Sequence, residues 1–141
     1  MELMASSDNV LRGGLTPKSI DTVELLRIVS YVDGRPQILS GRETGRGVHA
    51  YDTPADEFLL ERVELSAGSR LQTSAPHSVE CLIVIEGSAV MEGGGDLSSD
   101  GVALPLERGR AVLIPASIPY QLRIDSPHAL LFRARVPGPR F

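Results

Sequence analysis

Apolar and polar positions along this 141-residue chain follow two different rhythms. Up to about residue 56, apolar side chains are scattered among glycines, prolines and charges, and one stretch alone has a helical period. Val23, Leu25, Leu26, Ile28 and Val29 make an apolar stripe, with Asp21 at the N-cap position and Glu24 three residues on. That arrangement predicts a short helix from Asp21 to near Tyr31. Residues 33–56 are rich in turn formers and read as a connection, with one short strand around Gln37 to Leu39.

From Glu57 the pattern becomes that of short strands. Glu57 to Leu65 is one, although Glu61 and Arg62 blur its alternation. Val79 to Ile85 is almost wholly apolar and predicts a central strand. Glu86-Gly87 is a turn before Ser88 to Glu92, and Gly93-Gly94-Gly95-Asp96 opens a loop that runs to about Gly101. Val102, Leu104 and Leu106 alternate, and Pro105 among them points to a sheet edge. Ala111 to Ile114 is closed by Pro115; Leu122 and Ile124 alternate with Gln121, Arg123 and Asp125. In the last strand Leu130, Phe132, Ala134 and Val136 face one way, Arg133 and Arg135 the other. Short strands at this spacing, punctuated by glycine and proline, predict a mainly β sandwich or jelly roll, preceded by an irregular segment and one short helix. The expected organisation is residues 1–20, an irregular segment; 21–56, helix and connection; and 57–141, the β domain.

Composition narrows this picture. A hydrophobic content of 42% in a chain of this length suits a domain with a real core. The net charge of −4 argues against a nucleic-acid surface. Cys81 is the single cysteine, which excludes an intrachain disulfide. Its setting in an apolar run predicts a buried, inert thiol. No apolar run is long enough to span a membrane, and the start lacks a basic region followed by an apolar one, so a cytoplasmic protein is expected.

Candidate chemistry starts with Ala5 to Lys18, where Asp8, Asn9, Arg12, Thr16 and Lys18 surround Gly13-Gly14. Arginine and lysine hold phosphate, while aspartate and asparagine hold hydroxyls, so the set suits an anionic, polyhydroxylated ligand. The alternative is an irregular, solvated lead-in.

The β region adds a second pattern. Gly68, Ser74-Ala75-Pro76, Glu80 and Gly87, then Gly109, Pro115 and Tyr120, resemble the two motifs of cupin jelly rolls in their spacing. In metal-binding cupins the first motif supplies two histidines and a glutamate, and the second a histidine. Here those positions hold Ser74, Pro76, Glu80 and Tyr120, and only the carboxylate remains. Serine and proline do not replace imidazole, so the resemblance implies a degenerate, metal-free cupin. His49, His77 and His128 fall outside the pattern and no two share a ligand-like spacing. Glu80 is expected to be solvated or paired with an arginine.

Glu2 to Lys18 resembles the signature in the second half of type I mannose-6-phosphate isomerases, and the cupin-like remainder resembles their C-terminal region. The resemblance implies a zinc-dependent aldose–ketose isomerase of carbohydrate metabolism, interconverting mannose 6-phosphate and fructose 6-phosphate and supplying GDP-mannose. The family's zinc is held in an N-terminal cupin by a glutamine, two histidines and a glutamate, all matching positions upstream of Met1. This chain is therefore expected to hold no cofactor, to be silent alone, and to meet sugar phosphate together with an N-terminal catalytic half. By resemblance Arg12 stabilises the enediolate oxyanion, Lys18 contacts substrate or supports charge, and Glu2 is a candidate for proton handling. Asp8 and Asn9 shape the loop.

Two further readings stand beside this one. The first is a free-standing degenerate cupin that binds a sugar or sugar phosphate without turnover, at the barrel mouth near Glu80, Ser117 and Tyr120. The second is a structural or assembly domain, with an apolar patch at Leu3, Val10, Leu11 and Leu15. Neither reading involves nucleic acid or membrane.

Overall fold

The computed structural model describes residues 3–6, 11–93 and 102–138. Glu2, Asp8, Asn9, Val10 and the loop from Gly94 to Gly101 lie outside the described residues. The chain forms two compact units, Glu2–Ile38 and Leu39–Phe141.

In the first unit the helix α1 spans Thr22–Ile28. Asp21 caps it, its carboxylate accepting from the Glu24 amide at 3.0 Å, and Glu24 pairs with Arg27 one turn on. The helix stops three residues short of Tyr31 because the backbone of Val29 is already extended. No helical residue is buried, so the cap and the ion pair are its visible supports. Gln37 to Leu39 forms no strand.

The second unit holds β1 (Arg42–Gly45), β2 (Val48–Tyr51), β3 (Leu59–Ser66), β4 (Arg70–Thr73), β5 (Glu80–Glu86), β6 (Ser88–Gly93), β7 (Val102–Glu107), β8 (Ala111–Ile114), β9 (Tyr120–Ile124) and β10 (His128–Arg135). Two antiparallel sheets face each other, one ordered β1-β2-β3-β10-β5-β8 and the other β4-β9-β6-β7. β1 and β2 lie within what the sequence suggested was a connection. All of β1 is exposed, and β2 buries only Val48 and Ala50, so neither left a readable apolar pattern. β4 likewise escaped notice, since only Leu71 and Thr73 in it are partly buried. β7 is an edge strand, which is why Pro105 is tolerated in it.

The chain changes sheet at β3→β4, β4→β5, β5→β6, β7→β8, β8→β9 and β9→β10, and these corners make the wall of a closed double-stranded helix of strands. The tightest is at Gly87. Its φ is +72°, and a Cβ there would lie 2.0 Å from the His128 carbonyl oxygen and 2.5 Å from Ser126 Oγ. Glycine is thus required both by conformation and by space. Ser126 Oγ also accepts from the Ser88 amide at 2.9 Å, tying the two corners together.

Val63, Leu82, Val84, Leu106, Leu122, Ile124 and Leu131 fill the space between the sheets. One expectation is corrected here, that of a buried Cys81. β5 points Glu80, Leu82 and Val84 inward, so Cys81 is exposed on the outer face. In β10 it is Ala129, Leu131 and Arg133 that face the core, while Leu130, Phe132 and Ala134 line the outside, where Phe132 stacks on Tyr51. The arginines do oppose Leu130 and Phe132, but on the inner face.

Replacing Gly87 by alanine should prevent cooperative folding or cost well over about 3 kcal/mol, the range of strained backbone plus overpacking. Alanine at Gly68, where φ is also positive but nothing lies within 4 Å, should cost much less. Chemical denaturation of the two variants checks the contrast.

Candidate functional site

The signature segment belongs to the first unit. Arg12 and Lys18 are exposed, and neither pairs with a described acid. Gly14 has φ +100°, a turn position suited to glycine, and the Lys18 amide donates to Thr16 Oγ1 at 3.2 Å. Glu2, the third residue expected at this site, lies outside the described residues.

In the β unit, the positions that match cupin ligands stand together at one end of the barrel. Ser74 and Pro76 lie on the β4→β5 connection, Glu80 opens β5 and Tyr120 opens β9. Thr73 and Tyr120 are directly paired across β4 and β9. β10 runs between β3 and β5, with Arg133 opposite Glu61 and Arg135 opposite Glu80. The register alone therefore sets two inward arginines between two inward glutamates.

Their side chains form one network. Tyr120 donates its hydroxyl to Glu80 Oε2 at 2.7 Å. Arg133 Nη1 donates to the Tyr120 hydroxyl at 3.1 Å and to Thr73 Oγ1 at 3.4 Å, and lies 3.9 Å from Glu80 Oε2. Arg133 Nε and Nη2 reach Glu61 Oε2 at 2.8 and 2.7 Å. Arg135 grips the same carboxylate through Nε and Nη2, both at 3.0 Å. Glu61 is 2%, Glu80 3%, Tyr120 1% and Arg133 7% exposed. Charges this deep persist only when paired and hydrogen-bonded.

Burial pushes the Tyr120 phenol above its ordinary pKa, with Glu80 adding to the rise and Arg133 opposing it. Burial would lower the pKa of Arg133, but Tyr120, Glu61 and Glu80 outweigh it, and the net shift is upward. The guanidinium is therefore a fixed cation beside Glu80.

This donor set does not fit a divalent metal. The one carboxylate at a ligand position already accepts from Tyr120 and faces a permanent positive charge. The histidines are elsewhere: His49 on the outer face opposite Arg62, His77 with Nε2 3.0 Å from the Pro137 carbonyl, and His128 3.4 Å from Glu64. Among the described residues, no three His, Cys, Asp or Glu side chains converge as a metal cluster.

Glu61, Thr73, Arg133 and Arg135 were not among the residues singled out from sequence. Parity was the available signal, because Glu61 shares the face of Val63 and Leu65, and Arg133 that of Ala129 and Leu131.

Sheets, corners and motif positions together define a cupin-type double-stranded β-helix. Solved structures agree. An RmlC-like cupin family protein from Methanocaldococcus jannaschii superposes with a TM-score of 0.57 at 14% identity, covering 74% of this chain and 94% of that one. Hydroxypropylphosphonic acid epoxidase from S. wedmorenis gives 0.55 at 16% identity, over 62% of this chain and 49% of that one. At such identities the likeness is one of fold. No protein-family model matches the chain.

Sequence relatives are more specific. Mannose-6-phosphate isomerase 2 of Arabidopsis thaliana is 34% identical over 136 residues, 96% of this chain and 30% of that protein. The human mannose-6-phosphate isomerase is 28% identical over 140 residues, 95% of this chain and 32% of that protein. The chain is a homologue of the C-terminal part of mannose-6-phosphate isomerases, and it spans about a third of the length of these relatives.

Arg133→Met should cost about 3–5 kcal/mol, because it strands two buried carboxylates. Tyr120→Phe, which removes one donor to Glu80, should cost about 1–3 kcal/mol. Urea denaturation at neutral pH measures both. The raised Tyr120 pKa keeps the folded state protonated where the unfolded phenol, with a pKa of about 10, ionises. The Tyr120 contribution to stability should therefore be full below about pH 10 and be lost as pH rises through the folded value. Tyr120→Phe should flatten that alkaline loss in a series of denaturation curves.

Proposed function

We propose that this chain is the C-terminal portion of a mannose-6-phosphate isomerase and contributes to a sugar-phosphate site completed by an N-terminal catalytic half. The match to such isomerases along 96% of the chain carries this reading. Moving a proton between C1 and C2 of an aldose and a ketose passes through an enediolate, whose oxyanion needs a fixed positive partner. Arg12 takes that role, Lys18 meets the substrate's negative charge, and Glu2 handles the proton. The exposure of Arg12 and Lys18, with no described acid neutralising either, leaves both cations available to an anionic substrate. Zinc in the N-terminal half would polarise the substrate oxygens. Among the described residues of this chain's own barrel no metal cluster stands in for it, and the Glu80 position is taken by an internal ion-pair network. The chain works in the cytoplasm, in carbohydrate metabolism.

The test is conversion of mannose 6-phosphate to fructose 6-phosphate with zinc, using the chain free of host isomerase. No turnover is expected from the chain alone. Added with the upstream part of a homologous isomerase, it should restore turnover, and Arg12→Ala should lower kcat by about 100-fold or more, the scale of one lost oxyanion donor. Zinc-dependent turnover by the chain alone would overturn the assignment of the metal to a separate half.

A further inference from the structure

The inner charge network leaves a defined set of groups unspent, and they converge on one cleft. A cavity of about 320 Å³ opens at the barrel mouth, bounded by Gln72, Ser74, His77, Glu80, Arg133 and Arg135. Every nitrogen of Arg133 is engaged, by Glu61, Tyr120 and Thr73. Arg135 spends Nε and Nη2 on Glu61, and among the described residues nothing accepts from its Nη1. Glu80 accepts from Tyr120 through Oε2, and among the described residues nothing donates to its Oε1, while the residue lines the cavity. His77 Nε2 faces the Pro137 carbonyl, an obligate acceptor, so in the neutral ring Nε2 carries the proton and Nδ1 is an acceptor. Ser74 and Gln72 are exposed and add groups that both donate and accept.

Charge decides which ligand suits this set. Glu80 in the lining and Glu61 behind it balance Arg133 and Arg135, so the charge network as a whole is neutral. A phosphate would lie against the free oxygen of Glu80, and a divalent cation against the Arg133 guanidinium. Hydroxyl groups, which donate to Glu80 Oε1 and His77 Nδ1 and accept from Arg135 Nη1, use every free group at once. A cavity of this volume is at the small end of ligand sites, large enough for a short polyol or a single sugar ring.

We infer that the barrel mouth is a binding site for a neutral polyhydroxylated ligand, held by Glu80, Ser74, His77 and Arg135. This site is separate from the sugar-phosphate role of Arg12 and does not depend on it. Glu80 is the anchor, because a ligand hydroxyl would give its Oε1 a hydrogen bond that no described residue supplies.

Amide chemical-shift titration of the full 141-residue chain with D-glucitol tests this, with inorganic phosphate and zinc chloride as parallel probes. Saturable shifts at Thr73, Ser74 and His77 are expected with glucitol, and weaker or no shifts there with phosphate or zinc. Glu80→Gln exchanges the free acceptor for an amide donor and should weaken glucitol binding by about tenfold, a loss of ~1.4 kcal/mol. Ser74→Ala is at an exposed position where folding is unaffected, and should weaken binding by about threefold. Thermal melts report whether Glu80→Gln remains folded; if it does not, Ser74→Ala decides. Absence of glucitol shifts at the mouth, binding indifferent to Ser74→Ala, or tighter binding of phosphate or zinc at the same residues would each overturn the inference.

Discussion

The guanidinium of Arg133 is the constraint around which the rest of the barrel is arranged. It lies between Glu61 on one neighbouring strand, Glu80 on the other and the Tyr120 hydroxyl from the facing sheet. Burying the charges of Glu61, Glu80 and Arg133 would be prohibitive if any were unmatched. Here two carboxylates meet two guanidiniums, and hydrogen bonds occupy most of the remaining valences. The network links β3, β10 and β5 to β4 and β9, so it ties the two sheets together at the end of the barrel where apolar packing gives way to solvent.

That end is also where the cupin motifs bring their residues. In metal-binding relatives of the fold, a cation holds the carboxylate of the first motif; in this chain the cation is a side chain. Glu80 is an inward carboxylate, and the positive charge beside it is the tethered guanidinium of Arg133. The barrel keeps the scaffold's geometry, and polar groups of Glu80, Arg135, Ser74 and His77 line its mouth.

The candidate functional groups therefore fall into two sets along the chain. The signature segment offers two exposed cations, Arg12 and Lys18, and its meaning comes from similarity to mannose-6-phosphate isomerases. The β unit offers an internally neutralised network and a polar cleft, and its meaning comes from geometry. The chain spans about a third of these relatives' length, and the lining of the barrel mouth comes from the β unit alone.

Much of this molecule was legible along the sequence. Asp21 and Glu24 marked the start of α1 because capping is local, satisfied within three residues. Gly68, Gly87 and Gly109 marked corners because positive φ is a property of single residues. The apolar run in β5 and the proline in β7 announced a flanked strand and an edge. What only the tertiary structure decided was which face of each strand turned inward. β10 and β5 carry apolar residues on both faces, so period-two alternation could not say whether Leu131 or Phe132, Leu82 or Cys81, belonged to the core. The choice came from across the barrel. Arg133 goes inside because Glu61, Glu80 and Tyr120, distant in sequence, are there to receive its charge, and the pairing register then carries every other side chain of the strand with it.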